Sequence, residues 1–199
     1  MINQGAINNQ DSKNRFPETK LIHHSMSDKI LVAYASRTGF TGGVAEEIKK
    51  ALEESGLQVD LCLMNNVKDI SPYQAIIAGS AIQDRKWLPE AMEFMQNHRE
   101  ALSKKPFAAF LVCMTLAMPN DEKYRQAVME WLNPVRDIIK PVSEGFFAGA
   151  LDIDKIPSLS ARIKFRISVM VGVWKEADHR DWNAIHKWAV SLKPLLASK

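Results

Sequence analysis

Six consecutive residues, Ser36-Arg37-Thr38-Gly39-Phe40-Thr41, follow the apolar run Ile30-Leu31-Val32-Ala33-Tyr34-Ala35. Their types suit the capture of a phosphate. Gly39 can take backbone angles closed to other residues, and Ser36, Thr38 and Thr41 offer hydroxyl donors. A strand that empties into such a turn before a helix aims successive N–H groups, and the positive end of the helix dipole, at one point. The spacing is not G-x-x-x-x-G-K-S/T, which excludes a P-loop nucleotidase. Gly39, Gly42 and Gly43 are also wrongly spaced for the G-x-G-x-x-G turn that holds a dinucleotide. A compact, hydroxyl-rich turn fits one terminal phosphate.

The elements that must position this turn alternate between strand and helix from Lys29 onward. Strands are expected over 30–35, 57–64, 73–79, 107–114 and 142–151. Helices are expected over about 43–55, from Pro89 through Leu102, from a cap at Asn120 or Asp121 until Pro134 breaks it, and over about 181–193. Val44, Ile48, Ala51 and Leu52 recur at helical spacing, as do Trp182, Ile185, Ala189 and Leu192. Apolar strands alternating with helices predict an α/β fold with a parallel sheet covered on both faces. Ligands in such sheets bind at the carboxyl ends of the strands. The turn at 36–41 and the loops at 80–88 and 115–120 would then open onto one edge. Residues 1–28, polar and without sustained periodicity, read as a flexible extension to a single domain over 29–199.

The chain has 199 residues, 46% apolar and 25% charged, which suits a globular domain with a sizeable core. No apolar run approaches the roughly 18–20 residues of a membrane span. The beginning of the chain lacks the basic-then-apolar pattern of a secretion signal, so a cytoplasmic location is expected. A net charge of +3 is too mild to support nucleic-acid binding. His23, His24, His98, His179 and His186 form no ligand spacing, so no metal is expected. Cys62 and Cys113 lie in apolar runs and read as buried thiols, and Met92, Met95, Met114 and Met170 as core filler.

The turn matches T/S-x-T-G-x-T at every fixed position, and Tyr73-Gln74-Ala75-Ile76-Ile77-Ala78-Gly79-Ser80 resembles Y-D-x-I-I-x-G-S, departing at Gln74. Both are motifs of the flavodoxin family, which the chain resembles over roughly 29–193. The resemblance implies a three-layer α/β/α fold with a five-stranded parallel sheet in the order 2-1-3-4-5, and FMN as cofactor. Residues 36–41 would take the FMN phosphate. Ser80, Ala81 and Ile82 would border one side of the isoalloxazine, and Thr115, Leu116 and Ala117 the other. Family members stack aromatic residues from these loops on the ring. Trp87 is the candidate after the third strand, although it could equally staple the helix at Pro89 to the core. The loop after the fourth strand has no aromatic residue before Tyr124, which leaves one ring face open or covered only by Leu116 or Met118. Arg37 reads as a weak candidate for direct phosphate contact, and Asp181 as a helix cap.

Three stretches look like the menaquinone-dependent protoporphyrinogen dehydrogenase type. They are Gly79-Ser80-Ala81-Ile82 running to Trp87-Leu88-Pro89, then Phe147 to Asp152, and Arg180-Asp181-Trp182 with Ile185 and Trp188-Ala189. That type carries an insert after its fifth strand, as this chain does over about 152–177. Here Leu159, Ile163, Ile167, Met170, Val171 and Trp174 recur at helical spacing near Arg162, Lys164 and Arg166. Two readings stand open: an extra helix packed on the domain, or an amphipathic element over about 159–174 that meets the inner face of a membrane, a quinone or a tetrapyrrole carboxylate. The resemblance implies an oxidoreductase that oxidises protoporphyrinogen IX and passes electrons to a quinone, with no catalytic side chain because the flavin carries the chemistry. The alternatives are a one-electron carrier between redox proteins and a flavin-binding interaction module. Soluble carriers of this family are typically acidic, and the +3 charge lacks their electrostatic steering.

Overall fold

A computed structural model describes residues 29–118 and 122–196. The expected extension over 1–28 and the cap at Asn120 or Asp121 lie outside these residues. The chain forms β1 (Lys29–Ala35), α1 (Phe40–Glu54), β2 (Gln58–Leu63), β3 (Ala75–Gln83) and the two-residue β4 (Lys86–Trp87). Then come α2 (Pro89–Asn97), α3 (Arg99–Leu102), β5 (Phe107–Cys113), α4 (Glu122–Glu130), α5 (Asn133–Arg136) and β6 (Ser143–Ala148). The last elements are α6 (Leu159–Met170), α7 (Trp182–Ser191) and α8 (Lys193–Leu196).

Five strands pair in parallel in the order β2-β1-β3-β5-β6. Numbered among the parallel strands alone, that is the expected 2-1-3-4-5. Helices cover both faces, giving three layers. On one face Val44, Ile48 and Leu52 of α1 and Ile185 and Leu192 from the α7 region are fully buried against Ile30, Val32 and Ile77. Burying each such side chain contributes about 1.5–3 kcal/mol. On the other face Ala91 and Met95 of α2 and Val128 of α4 pack on Leu31, Ile76 and Leu111.

Several expectations are corrected. β3 runs to Gln83 and turns back on itself, pairing Ile82 with Trp87 through β4. Asp84 and Arg85 carry the tight turn with φ of 50° and 63°. The hairpin signal was hidden because these positions usually hold Gly or Asn. The single helix expected from Pro89 divides at His98, whose ring lies 4.8 Å from that of Phe94. Pro134 does not simply end a helix; it occupies the first turn of α5, where its missing N–H costs nothing. β6 stops at Ala148, three residues early, because the insert takes over the pairing beyond it.

The insert is stapled at its base. Ala150 and Asp178 form an antiparallel bridge, the Leu151 N–H donates to the Ala177 carbonyl at 2.9 Å, and the His179 N–H donates to that of Gly149 at 3.2 Å. Between these ends stands α6, capped by Ser158 and ended by Gly172 at φ 76°. None of its residues is buried. Met170, expected in the core, is 79% exposed. α6 therefore lies on the surface of the domain, half-buried at Ala161, Phe165 and Val169 and exposed at Leu159, Ile163 and Ile167.

Gly79 lets β3 and β5 fit together: a Cβ there would fall 1.9 Å from Cζ of Phe110, which is fully buried. Gly79→Ala is expected to destabilise the protein by about 1–3 kcal/mol in urea unfolding. Adding Phe110→Leu should recover part of the loss, and strictly additive effects would refute the contact as its cause.

Candidate functional site

β1 ends at Ala35, and the chain turns through 36–39 into α1. Gly39 is the N-cap, at φ 86° and ψ −15°, and a Cβ there would meet nothing within 4 Å. The turn needs glycine for its backbone angles, not for space. The Ser36 Oγ accepts from the Gly39 N–H at 3.0 Å and keeps its own proton free to donate. Thr41 is 2% exposed yet reaches the wall of a cavity, and Thr38 lies on the same wall. Arg37 instead forms a two-pronged ion pair with Glu90 at 3.1 Å, and so joins the loop to the start of α2.

The cavity measures about 390 Å³ and lies at the carboxyl edge of the sheet. The turn at 37–41 forms one side, and Ala81, Ile82 and Gln83 of β3 form another. Ser80 is fully buried behind them, where its Oγ accepts from the Leu88 N–H at 3.0 Å and donates to the Ala81 carbonyl at 2.8 Å. It thus fixes the end of β3 from within. Trp87 is 4% exposed and belongs to the core, which is the helix-stapling placement and not a position on the cavity wall. After β5 the wall is made by Val112, Cys113 and Met114. Leu116 turns into the core at 9% exposure and Ala117 lines neither this cavity nor its neighbour, so these two residues provide no cover over the cavity.

The cover comes from the insert. Ile156, Pro157, Ala161 and Phe165 close the cavity from above, and Gly149, Ala150 and Leu151 complete its far wall. Sequence reasoning gave none of these a place in the site. The stretch 147–152 carries a subfamily likeness in the sequence, and the insert reads there as a packed helix or as an element that meets a membrane, a quinone or a tetrapyrrole, with no residue of either assigned to the cofactor cavity. A second cavity, about 620 Å³, adjoins the first and shares Ile82, Cys113, Met114 and Phe165 with it. Thr115, Tyr124, Trp131 and Trp174 furnish its other sides, with Asp84 and Arg85 of the hairpin turn at its border.

Charge gathers behind the turn. The Lys155 ammonium lies 4.8 Å and the Arg180 guanidinium 5.3 Å from the centre of the Phe40 ring. The first turn of α1 contains no acidic residue. Arg180 is paired with Asp178 at 2.7 Å and Lys155 with Asp152 at 3.5 Å; it is the acid-free start of α1, with its N–H groups and the positive end of the dipole, that fits a phosphate. Among the described residues no cluster of three or more ligating side chains could hold a metal ion.

Burial pushes the Cys113 thiol up to about 11. At pH 8 only about one thiol in a thousand would be ionised. Cys113 should therefore resist iodoacetamide at that pH, and labelling followed by mass spectrometry should show its rate climbing toward pH 11. Rapid labelling at pH 8 would contradict its burial.

The sequence profile of the flavodoxin domain matches residues 31–173. A short-chain flavodoxin associated with a non-canonical PDU bacterial microcompartment superposes with a TM-score of 0.54 at 13% identity, covering 85% of this chain and 99% of that one. A Fusobacterium nucleatum flavodoxin, solved with flavin mononucleotide bound, gives 0.52 at 15% identity, again covering 85% and 99%. These likenesses show the fold. No curated protein sequence matches significantly. With the profile spanning well over half of its length, the chain belongs to the flavodoxin domain family.

Proposed function

We propose that the protein is an FMN-dependent oxidoreductase whose substrate lies against the flavin, with a quinone as electron acceptor. The reduced substrate the sequence resemblance suggests is protoporphyrinogen IX. The observation that carries the reading is the second cavity joined to the first. A carrier that only exchanges electrons with proteins needs no chamber beside its cofactor, and this one is furnished with Tyr124, Trp131, Phe165 and Trp174. Flat aromatic walls suit a flat conjugated substrate.

Bound FMN supplies the hydride acceptance and electron release. The chain's part is to hold and shield it. Ser36, Thr38, Gly39 and Thr41 would take the phosphate. Ala81, Ile82 and Met114 give the ring site apolar walls, and Cys113 adds a thiol that burial keeps neutral. Ile156, Pro157 and Phe165 line the site's upper side and would shield part of the ring from water.

The outer side of the insert supports a membrane partner. At about 100° per residue, Leu159, Ile163, Ile167, Met170 and Val171 fall within one arc of about 120°. Their exposures run from 52% to 79%. Lys164 borders one edge of the arc and Arg162 and Arg166 the other, and no carboxylate occurs between Leu159 and Lys175. An apolar strip between cations matches an anionic lipid surface. Among the described residues no helix is long and apolar enough to cross a membrane, so the contact would be peripheral.

Two experiments test these readings. The purified protein should show flavin absorption and oxidise protoporphyrinogen with a menaquinone analogue. Trp174→Ala, at a residue that lines the second cavity and not the first, should lower kcat/KM by about five- to thirtyfold while retaining FMN. Flavin-loaded protein that only passes electrons to protein partners would favour the carrier reading instead. In flotation assays the protein should bind vesicles containing phosphatidylglycerol and not pure phosphatidylcholine. Ile163→Glu with Ile167→Glu should abolish that binding, and unchanged flotation would remove the membrane partner.

A further inference from the structure

We propose that Arg180 is a positioning residue for the phosphate loop, acting through the peptide between Phe40 and Thr41, and that it gives the site its preference for phosphorylated flavin. The proposal rests on the FMN reading and assigns its selectivity to a residue far from the loop in sequence.

Arg180 follows the return strand of the insert, directly after the bridge that ties Asp178 to Ala150. Its Nε and Nη2 donate to the two carboxylate oxygens of Asp178, at 2.8 and 2.7 Å. This fork locks the guanidinium plane. The face of the group lies 4.3 Å from the centre of the Trp182 ring, and its side chain is only 13% exposed. The remaining nitrogen, Nη1, donates to the Phe40 carbonyl at 3.2 Å.

That one hydrogen bond has directional force. In a trans peptide the carbonyl and the N–H point in opposite directions. A carbonyl of Phe40 held toward Arg180 therefore keeps the Thr41 N–H turned toward the loop, where a phosphate oxygen needs a donor. Asp178 neutralises much of the guanidinium charge, and the hydrogen bonds of Arg180 hold the Asp178 carboxyl below the ordinary carboxylate range. The contribution of Arg180 is consequently more geometric than electrostatic.

Gly43 is the second, independent observation. It lies inside α1, where alanine would ordinarily be the better helix former. A Cβ at this position would fall 2.5 Å from Nη1 of Arg180. Gly42 beside it faces Tyr34 instead, at 3.1 Å from a Cβ built there, so of the two glycines in α1 it is Gly43 that leaves room for the guanidinium to reach Phe40.

The test uses the full chain freed of flavin, with binding of FMN and of riboflavin each followed by quenching of flavin fluorescence. Arg180→Ala should weaken FMN binding by about tenfold and leave riboflavin binding unchanged. Gly43→Ala should do the same, and Arg180→Lys should recover part of the FMN affinity. Inorganic phosphate should raise the Tm of the flavin-free wild type and do so less in both alanine variants. If circular dichroism shows that Arg180→Ala fails to fold, Gly43→Ala and Arg180→Lys decide the matter. The proposal is overturned if FMN and riboflavin affinities fall together, or if FMN affinity is unaffected by every variant that folds. Wild-type protein that holds FMN no better than riboflavin would overturn the phosphate-loop reading as well.

Discussion

Parallel pairing of β1, β3 and β5 in one register is the constraint on which the site depends. Ala35 lies beside Ser80, and Ser80 beside Leu111, so the three chains leave the sheet together. A slip of one residue in any pair would turn every side chain to the opposite face. The buried faces oppose such slips: Ile30, Leu31 and Val32 are all fully buried, alternately against helices on the two sides. With the register held, the turn at 36–39, the hairpin after β3 and the turn after β5 must surround one space. Gly79 under Phe110 sets the spacing of the central strands, and Ser80 anchors the loop that springs from them.

The site combines elements of different origin. The phosphate turn is local and would form wherever β1 meets α1. The walls after β3, β5 and β6 come from the sheet. The roof belongs to neither; it is supplied by a segment inserted after β6 and closed on itself by Asp178, Ala177 and Glu176, whose Oε1 accepts from the Ile153 N–H at 2.8 Å. That segment has two working sides. Phe165 and Ala161 face the cavity, whereas Leu159, Ile163 and Ile167 face away from it.

What could be read from the sequence was what is written locally. Gly39 after the apolar run marked the turn between β1 and α1, and the apolar runs marked the strands and their order. Asp181 was legible as a cap, and its side chain accepts from the Ala184 N–H at 2.9 Å. Features that depend on distant partners stayed hidden. Arg37 read only as a weak candidate for phosphate contact, and its ion pair with Glu90, 53 residues on, has no signal in the loop itself. Trp87 was ambiguous because a tryptophan near a cofactor and one in a core have the same neighbours in sequence. The hairpin at Asp84 and Arg85 lacked its usual glycine, and Met170 has a core residue's chemistry at a surface position.

The hydrogen bond between Arg180 and Phe40 joins residues 140 apart in the chain, and this separation has a consequence for biosynthesis. Domains begin to fold as they leave the ribosome, and β1, α1 and β3 emerge well before the insert. The phosphate turn would thus be present long before its support. Until the chain beyond Asp178 is free, neither the roof nor the guanidinium is in place, and the nascent protein offers an anion only an unbraced turn. The turn after β1 and the segment that covers the cavity beside it are thus completed far apart in synthesis.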